Sequence, residues 1–307
     1  MPTKNTNTPQ RRMCGAMEAH LRLCEIDPEF RVRRGKIHAE TEIMVRRGVA
    51  MRRVEKKVLT IPVVVHVVYN TEEENISVAQ IKSQIVALNR DFSAANPDKI
   101  KTPSVWQGLI TNARIQFVLA KKDPKGKPTN GITRTKTKET SFGTNDAVKR
   151  KATGGATAWP TGKYLNLWVC TLADGLLGYA QFPGGAAATD GVVVLNTAFG
   201  TTGTASAPFN LGRTAVHEVG HWLNLNHIWG DRSDCSGTDH VSDTPGAQLP
   251  NYDEPVFPHV SCKNGPNGDM FVNYMDYVND AAMVMFTAGQ VARMQATLAG
   301  PRSSLGT

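Results

Sequence analysis

The stretch HEVGHWLNLNH at 217–227 places three of the chain's eight histidines within eleven residues. Helix positions four apart face the same way, so His217 and His221 aim their imidazoles at one point and can hold one ion. Glu218 follows the first histidine and reaches a water on that ion without being a ligand. Zinc suits this donor set: three protein ligands leave one position open, and a neighbouring carboxylate takes the water's proton. A continuing helix would carry His227 nearly two turns past His221, so the chain has to break after Leu223 for the third imidazole to return. Asn224 stands at the break, and after glycine it is the residue that best tolerates a left-handed backbone. The short HExxH pattern alone also arises in unrelated chains as ordinary structural histidines. The third histidine separates the two readings.

Outward from this stretch, the spacing predicts a helix over 211–226. The run VLTIPVVVHVVYN at 58–70 is rich in β-branched residues and reads as a buried strand. Ser77 then opens a helix whose Val78, Ile81, Ile85 and Leu88 recur at helical spacing. Further strands are expected at 113–120, 164–169 and 190–196. After the histidines, 228–270 is dense in Gly, Pro, Asp and Asn and reads as mostly irregular, and a last helix fits 287–299 with Thr287 as its cap. The order implies a mixed α/β (α+β) chain with a helix-rich second half.

The chain has 307 residues, 40% of them hydrophobic, with 27 Gly and 17 Pro, which is enough to bury a core. No apolar run approaches the ~20 residues of a membrane span. The opening MPTKNTNTPQ lacks the apolar centre of a secretory signal, so a signal is either absent or removed. The net charge of +8 is unevenly placed: residues 1–57 hold 14 Lys/Arg against 7 Asp/Glu, and 58–307 hold 21 against 20. A nucleic-acid binder should carry its basic face on the folded body, so that class is set aside. Residues 1–57, with helical spacing at Met17–Cys24 and His38–Val45 but few large apolar residues, form an appendage that must lie on something else.

The zinc stretch resembles the metzincin pattern HExxHxxGxxH, departing only at Asn224, where most of the clan has glycine. NYMDY at 273–277 resembles the clan's methionine turn, with Met275 beneath the metal and Tyr277 two positions on. Within the clan the chain resembles the pappalysin family through IPVVVHVVY, LNRDF, NGITR (130–134), LLGYAQFP (176–183), DGVVV, DTP (243–245) and MFTAGQ, over roughly 58–299. The resemblance implies a twisted, mostly parallel sheet with the active-site helix in an upper subdomain (58–227). Below it lies an irregular lower subdomain (228–307) with the methionine turn and terminal helix.

The same resemblance implies a zinc endopeptidase acting on proteins or peptides, in which His217, His221 and His227 bind zinc. Glu218 is its general base and then proton donor, and Tyr277 steadies the oxyanion. The competing reading is a catalytically dead binding module, against which the retained Glu218 argues. By resemblance Cys235 and Cys262 form a disulfide, whose closed loop stabilises by about 3 kcal/mol and points to an oxidising, extracellular compartment. Cys170 reads as a free core thiol. Cys14, in RRMCG, stands where latent members carry a cysteine that caps the zinc, making 1–57 an inhibitory propeptide. A free surface thiol, a bond to Cys24, or a targeting or membrane-surface role for the arm are the alternatives. Asp231, Asp234, Asp239 and Asp243 lie in a loop that calcium would order, and by resemblance Asp239, Ser242 and Thr244 are its ligands. Asp280 resembles the acidic residue tied to Arg/Lys preference after the cut bond, although the family's cysteine is replaced by Ala282. Arg46–Arg47 and Arg52–Arg53 then offer sites for self-removal of the propeptide.

Overall fold

A computed structural model of the chain describes residues 9–48 and 58–305. β1 (Leu59–Tyr69) is the spine of a six-stranded sheet and is buried along most of its length. Both of its faces are covered, which is why its sequence is a continuous apolar run rather than an alternation. β2 (Ile115–Leu119) pairs in parallel with its first half and β3 (Ile132–Lys136) with its second half, along one edge. β4 (Leu165–Cys170) pairs in parallel on the other edge and is followed by β6 (Val192–Leu195). The short β5 (Gly178–Ala180) closes that rim as the antiparallel strand. The sheet is therefore mostly parallel, as expected, in the order β2-β1-β4-β6-β5.

Helices cover both faces. α3 (Val78–Phe92) starts at Ser77, whose hydroxyl accepts the Gln80 N–H at 3.1 Å. The one-turn α4 is Ser104–Gln107 and the histidine-bearing α5 is Arg213–Trp222. Val216 and Val219 of α5 share one core with Val63, Val65, Leu167 and Val192 of the sheet. α6 (Ala288–Ala299) opens with a capping box between Thr287 and Gln290. The N-terminal segment forms α1 (Ala16–Ile26) and α2 (Pro28–Arg46), both longer than their apolar spacing suggested. It does lie on the rest of the chain: Ala19 joins Trp168 and Tyr179 on the second face of the sheet. Met44 and Val45 pack on Ala292 and Ala296 of α6.

Two expectations change. The helix read over 211–226 is shorter at both ends, because Gly212 (φ 77°) and Asn224 (φ 75°) take left-handed backbone there. NGITR and LLGYAQFP, quoted only as resemblances, lead into β3 and contain β5. Residues 228–270 hold no helix or strand, and Cys235 and Cys262 are joined across them. Cys170 is a buried free thiol. The division near residue 57, with Arg52–Arg53, lies outside the described residues.

Candidate metal centre

α5 ends where the metal site needs it to end. Asn224 donates its N–H to the His221 carbonyl at 2.8 Å, and Leu225 donates to Gly220 at 2.9 Å, so the chain reverses at once. That turn brings His227 back to the helix. The three Nε2 atoms converge at 3.1 Å (His217–His221), 3.0 Å (His221–His227) and 3.3 Å (His217–His227). Each Nδ1 is held from behind: by the Tyr274 carbonyl at 2.8 Å, the Leu225 carbonyl at 2.8 Å and the Asp231 carboxylate at 2.6 Å. These acceptors place the ring protons on Nδ1, which leaves three buried Nε2 lone pairs facing one another. Such an arrangement is repulsive without a cation, and its spacing suits a tetrahedral ion with bonds of about 2.0–2.1 Å. The residues fit zinc.

Met275 lies directly beneath α5. A Cβ at Gly220 would stand 2.5 Å from its sulfur, so the helix carries glycine at that contact. Glu218 is buried beside the histidines, and burial pushes its carboxyl up to about 8, against the opposing pull of Cys14 and Arg12. The Tyr277 ring lies 4.9 Å from that of His227.

The N-terminal segment runs through this centre. Cys14 and the three histidines offer ligand atoms that all lie within 4.8 Å of one another. Its sulfur is 3.4 Å from Glu218 Oε2, and its carbonyl accepts the Tyr277 hydroxyl at 3.3 Å. Burial and the Glu218 carboxylate push the Cys14 thiol up, so a cation is needed to hold it as thiolate. The segment is stitched to the rim by Gly15 N–H to the Gly178 carbonyl and Leu177 N–H to the Met13 carbonyl, each 2.9 Å.

Asp280 is fully buried. Its Oδ2 accepts the N–H groups of Leu211 (2.7 Å) and Arg213 (3.3 Å), which leaves Oδ1 to face a pocket. That pocket holds Arg12, whose guanidinium meets Asp280 at 2.6 Å, Thr214 Oγ1 at 3.1 Å and the Val278 carbonyl at 3.2 Å. Sequence reasoning missed Arg12. The available signal was a basic residue two places before Cys14 in a chain expected to carry an acidic pocket.

The aspartates after His227 divide their tasks. Asp231 orients His227, and Asp243 receives the Thr287 hydroxyl and the Gly289 N–H at the start of α6. Asp234 stays exposed beside Ser236. Asp239 is buried, accepts Thr244 Oγ1 at 2.7 Å, and is pushed by burial up to about 7. Ser242 is exposed, so Asp239 and Thr244 meet without its side chain.

A three-histidine centre on a helix broken in this way, over a methionine turn, is that of a metallopeptidase of the metzincin kind. Residues 147–299 match the M43 peptidase family, described as pregnancy-associated plasma protein-A. An extracellular metalloprotease of Pyricularia oryzae is 34% identical over 93% of this chain and 88% of its own length. A Tannerella forsythia promirolysin variant superposes with a TM-score of 0.88 at 46% identity, covering 96% of this chain and 97% of that one. Mature mirolysin in complex with a cleaved peptide gives 0.77 at 49% identity, over 82% and 99%. The chain belongs to the M43, or pappalysin, family and is a metalloendopeptidase.

Proposed function

We propose that the chain is a secreted zinc endopeptidase made as a latent zymogen. Residues 1–57 are its inhibitory propeptide and 58–307 its catalytic domain, with subdomains 58–227 and 228–307. It cuts on the N-terminal side of Arg and, less readily, Lys. One observation carries the reading: the segment Arg12–Cys14 threads the centre, with Arg12 on Asp280 and Cys14 against the histidines. Asp280 turns one oxygen, Oδ1, to its pocket, where Arg12 meets it, and this suits a guanidinium better than an ammonium because only the guanidinium also reaches Thr214 and Val278. Extracellular relatives and the disulfide support secretion.

Bound by His217, His221 and His227, zinc supplies a Lewis acid for the scissile carbonyl and makes the attacking water more acidic. Glu218, beside the three histidines, takes the water's proton and returns it to the leaving amine. The Tyr277 hydroxyl already donates to a backbone carbonyl, that of Cys14, and in turnover it donates to the substrate's oxyanion. An inert binding module would need the histidines but not Glu218. Calcium is held at Asp239 and Thr244, with Ser242 contributing its backbone carbonyl; the buried Asp239 carboxylate, bonded to the Thr244 hydroxyl, supports the reading.

The test is Cys14→Ala in the full chain. Activation should become much faster while the mature enzyme's cleavage of peptides stays unchanged; an unchanged activation rate would overturn the latency mechanism. Cleavage profiling of the mature enzyme on a peptide mixture tests the preference, and apolar residues dominating after the cut would refute it.

A further inference from the structure

Three metal-binding side chains meet away from the catalytic centre. His38 and Glu42 lie one turn apart on the same face of α2, and His240 comes from the loop that follows the zinc helix. His38 Nε2 is 3.0 Å from Glu42 Oε1, and His240 Nδ1 is 3.8 Å from the same oxygen. One ligand atom from each residue lies within 4.8 Å of the other two. His240 is held at φ 62°, a left-handed backbone that costs a histidine energy and that turns its ring onto His38, with centroids 4.1 Å apart. An ordinary ion pair explains His38 with Glu42. It does not explain His240, whose nitrogen is beyond hydrogen-bond range of the carboxylate.

We propose that His38, Glu42 and His240 form a second zinc site that staples α2 to the catalytic domain. Two imidazoles and a carboxylate are a zinc donor set with one position left for water; calcium and magnesium prefer all-oxygen shells. The site is partly exposed, so an ion can enter. Binding has one local consequence. Arg293 Nη2 now donates to His38 Nδ1 at 3.0 Å, and zinc at Nε2 places the ring proton on Nδ1, so Arg293 releases that bond and keeps its 2.7 Å bond to the Asn224 carbonyl. This loss and the guanidinium's charge make the site weaker than the three-histidine centre. The regulatory meaning rests on the propeptide reading above. Cleavage after α2 removes His38 and Glu42 and leaves His240 alone, so zinc binds here only while the segment is docked. At about 100 times its dissociation constant, zinc favours docking about 100-fold and slows activation to match.

Zinc content of the full chain, carried on a Glu218→Ala background so that it cannot cleave itself, is measured after equilibrium dialysis in calcium-containing buffer. Two ions per chain are expected, falling to one in His240→Ala and in His38→Ala, with Glu42→Gln weakening the second. The retained catalytic zinc reports that each variant is folded. A single ion throughout, or a second ion that survives both histidine substitutions, overturns the site. Stoichiometry does not depend on activation, so failure of the propeptide reading is seen separately, in Cys14→Ala. If the second ion binds but leaves the activation rate of the wild-type chain unchanged, the staple is refuted.

Discussion

Asn224→Gly should affect the full chain and the mature enzyme in opposite directions. In the full chain the buried Asn224 side chain is bonded at both ends to the N-terminal segment: Oδ1 accepts Arg34 Nη1 at 2.7 Å, and Nδ2 donates to Thr41 Oγ1 at 3.2 Å. Glycine removes both bonds. One of them satisfies a guanidinium that burial and nearby Arg293 already push down to about 9. A neutral bond contributes about 1 kcal/mol and one to a charged group about 1.5–3 kcal/mol. Water recovers part of this, and the Arg34 contact over the Phe182 ring at 4.7 Å remains. A net loss of about 2 kcal/mol in docking corresponds to roughly 30-fold. The left-handed backbone at φ 75° serves the turn to His227, which the mature enzyme also needs, so relieving it should stabilise that form by up to about 1 kcal/mol. The assay follows activation of the full chain by a trace of mature enzyme, alongside melting of mature protein with one zinc bound. Thr41→Val, which removes one acceptor without touching the turn, should speed activation by a smaller factor. Wild-type activation kinetics together with a less stable mature enzyme would show that Asn224 serves the turn and not the docking.

Arg12→Ala should speed activation by about 10- to 100-fold, since it removes charge-assisted bonds in a buried pocket, and Arg12→Lys should fall between it and wild type; equal rates in all three would dismiss the pocket as a latch. Asp280→Ala should cut turnover of Arg-containing peptides far more than that of others, read as the ratio of kcat/KM values. Burial pushes Asp276 up to about 7, so between about pH 4 and 7 the folded chain holds a proton that the unfolded chain releases. Its contribution to stability therefore falls as pH rises, by at most about 1.4 kcal/mol per unit, and Asp276→Asn should gain on wild type across that window and plateau above it. A pH-independent difference in denaturant midpoint would contradict this. A chelator that takes calcium but spares zinc should lower the melting temperature, and no change in melting or activity would remove the calcium assignment.

The parts legible in the sequence were those whose cause is local. Ser77 and Thr287 cap their helices because a hydroxyl answers an amide three residues on. The His217–His227 stretch carries its own break at Asn224. β3 and β5 were hidden because strands of five and three residues, one edged with glycines, have little pattern of their own and exist through pairing with β1 and β6. The helix boundary at Arg213 was misplaced because Leu211 is apolar enough to extend the period, while Gly212 and the Asp280 carboxylate behind it stop the helix. Arg12 was out of reach for a simpler reason: its partner lies 268 residues away. Asp243 answers Thr287, 44 residues on, while Asp231 answers His227 only four residues back, a local pair that the acidic composition of the loop obscured by grouping both with calcium.

The charge of the N-terminal segment has a different meaning once its partners are known. Its basic clusters suggest an arm for acidic surfaces, yet Arg12 is spent on Asp280, Arg22 on Asp146, Arg33 on Asp27 and the Gly184 carbonyl, and Arg34 on Asn224. Under the proposed function these contacts also explain how cutting after α2 can free a centre more than thirty residues upstream. Scission near the exposed Arg46–Arg47 breaks none of the bonds made by Arg12 or Cys14. What it changes is concentration. While tethered, the segment faces the centre at an effective concentration in the millimolar range, and once cut it is diluted to the concentration of the enzyme itself. At nanomolar to micromolar enzyme that is a loss of about 10³- to 10⁶-fold, or roughly 4–8 kcal/mol of docking. Contacts of the size found here hold a tethered segment and release a free one, so latency needs no strain in the zymogen and activation needs no cut at the metal.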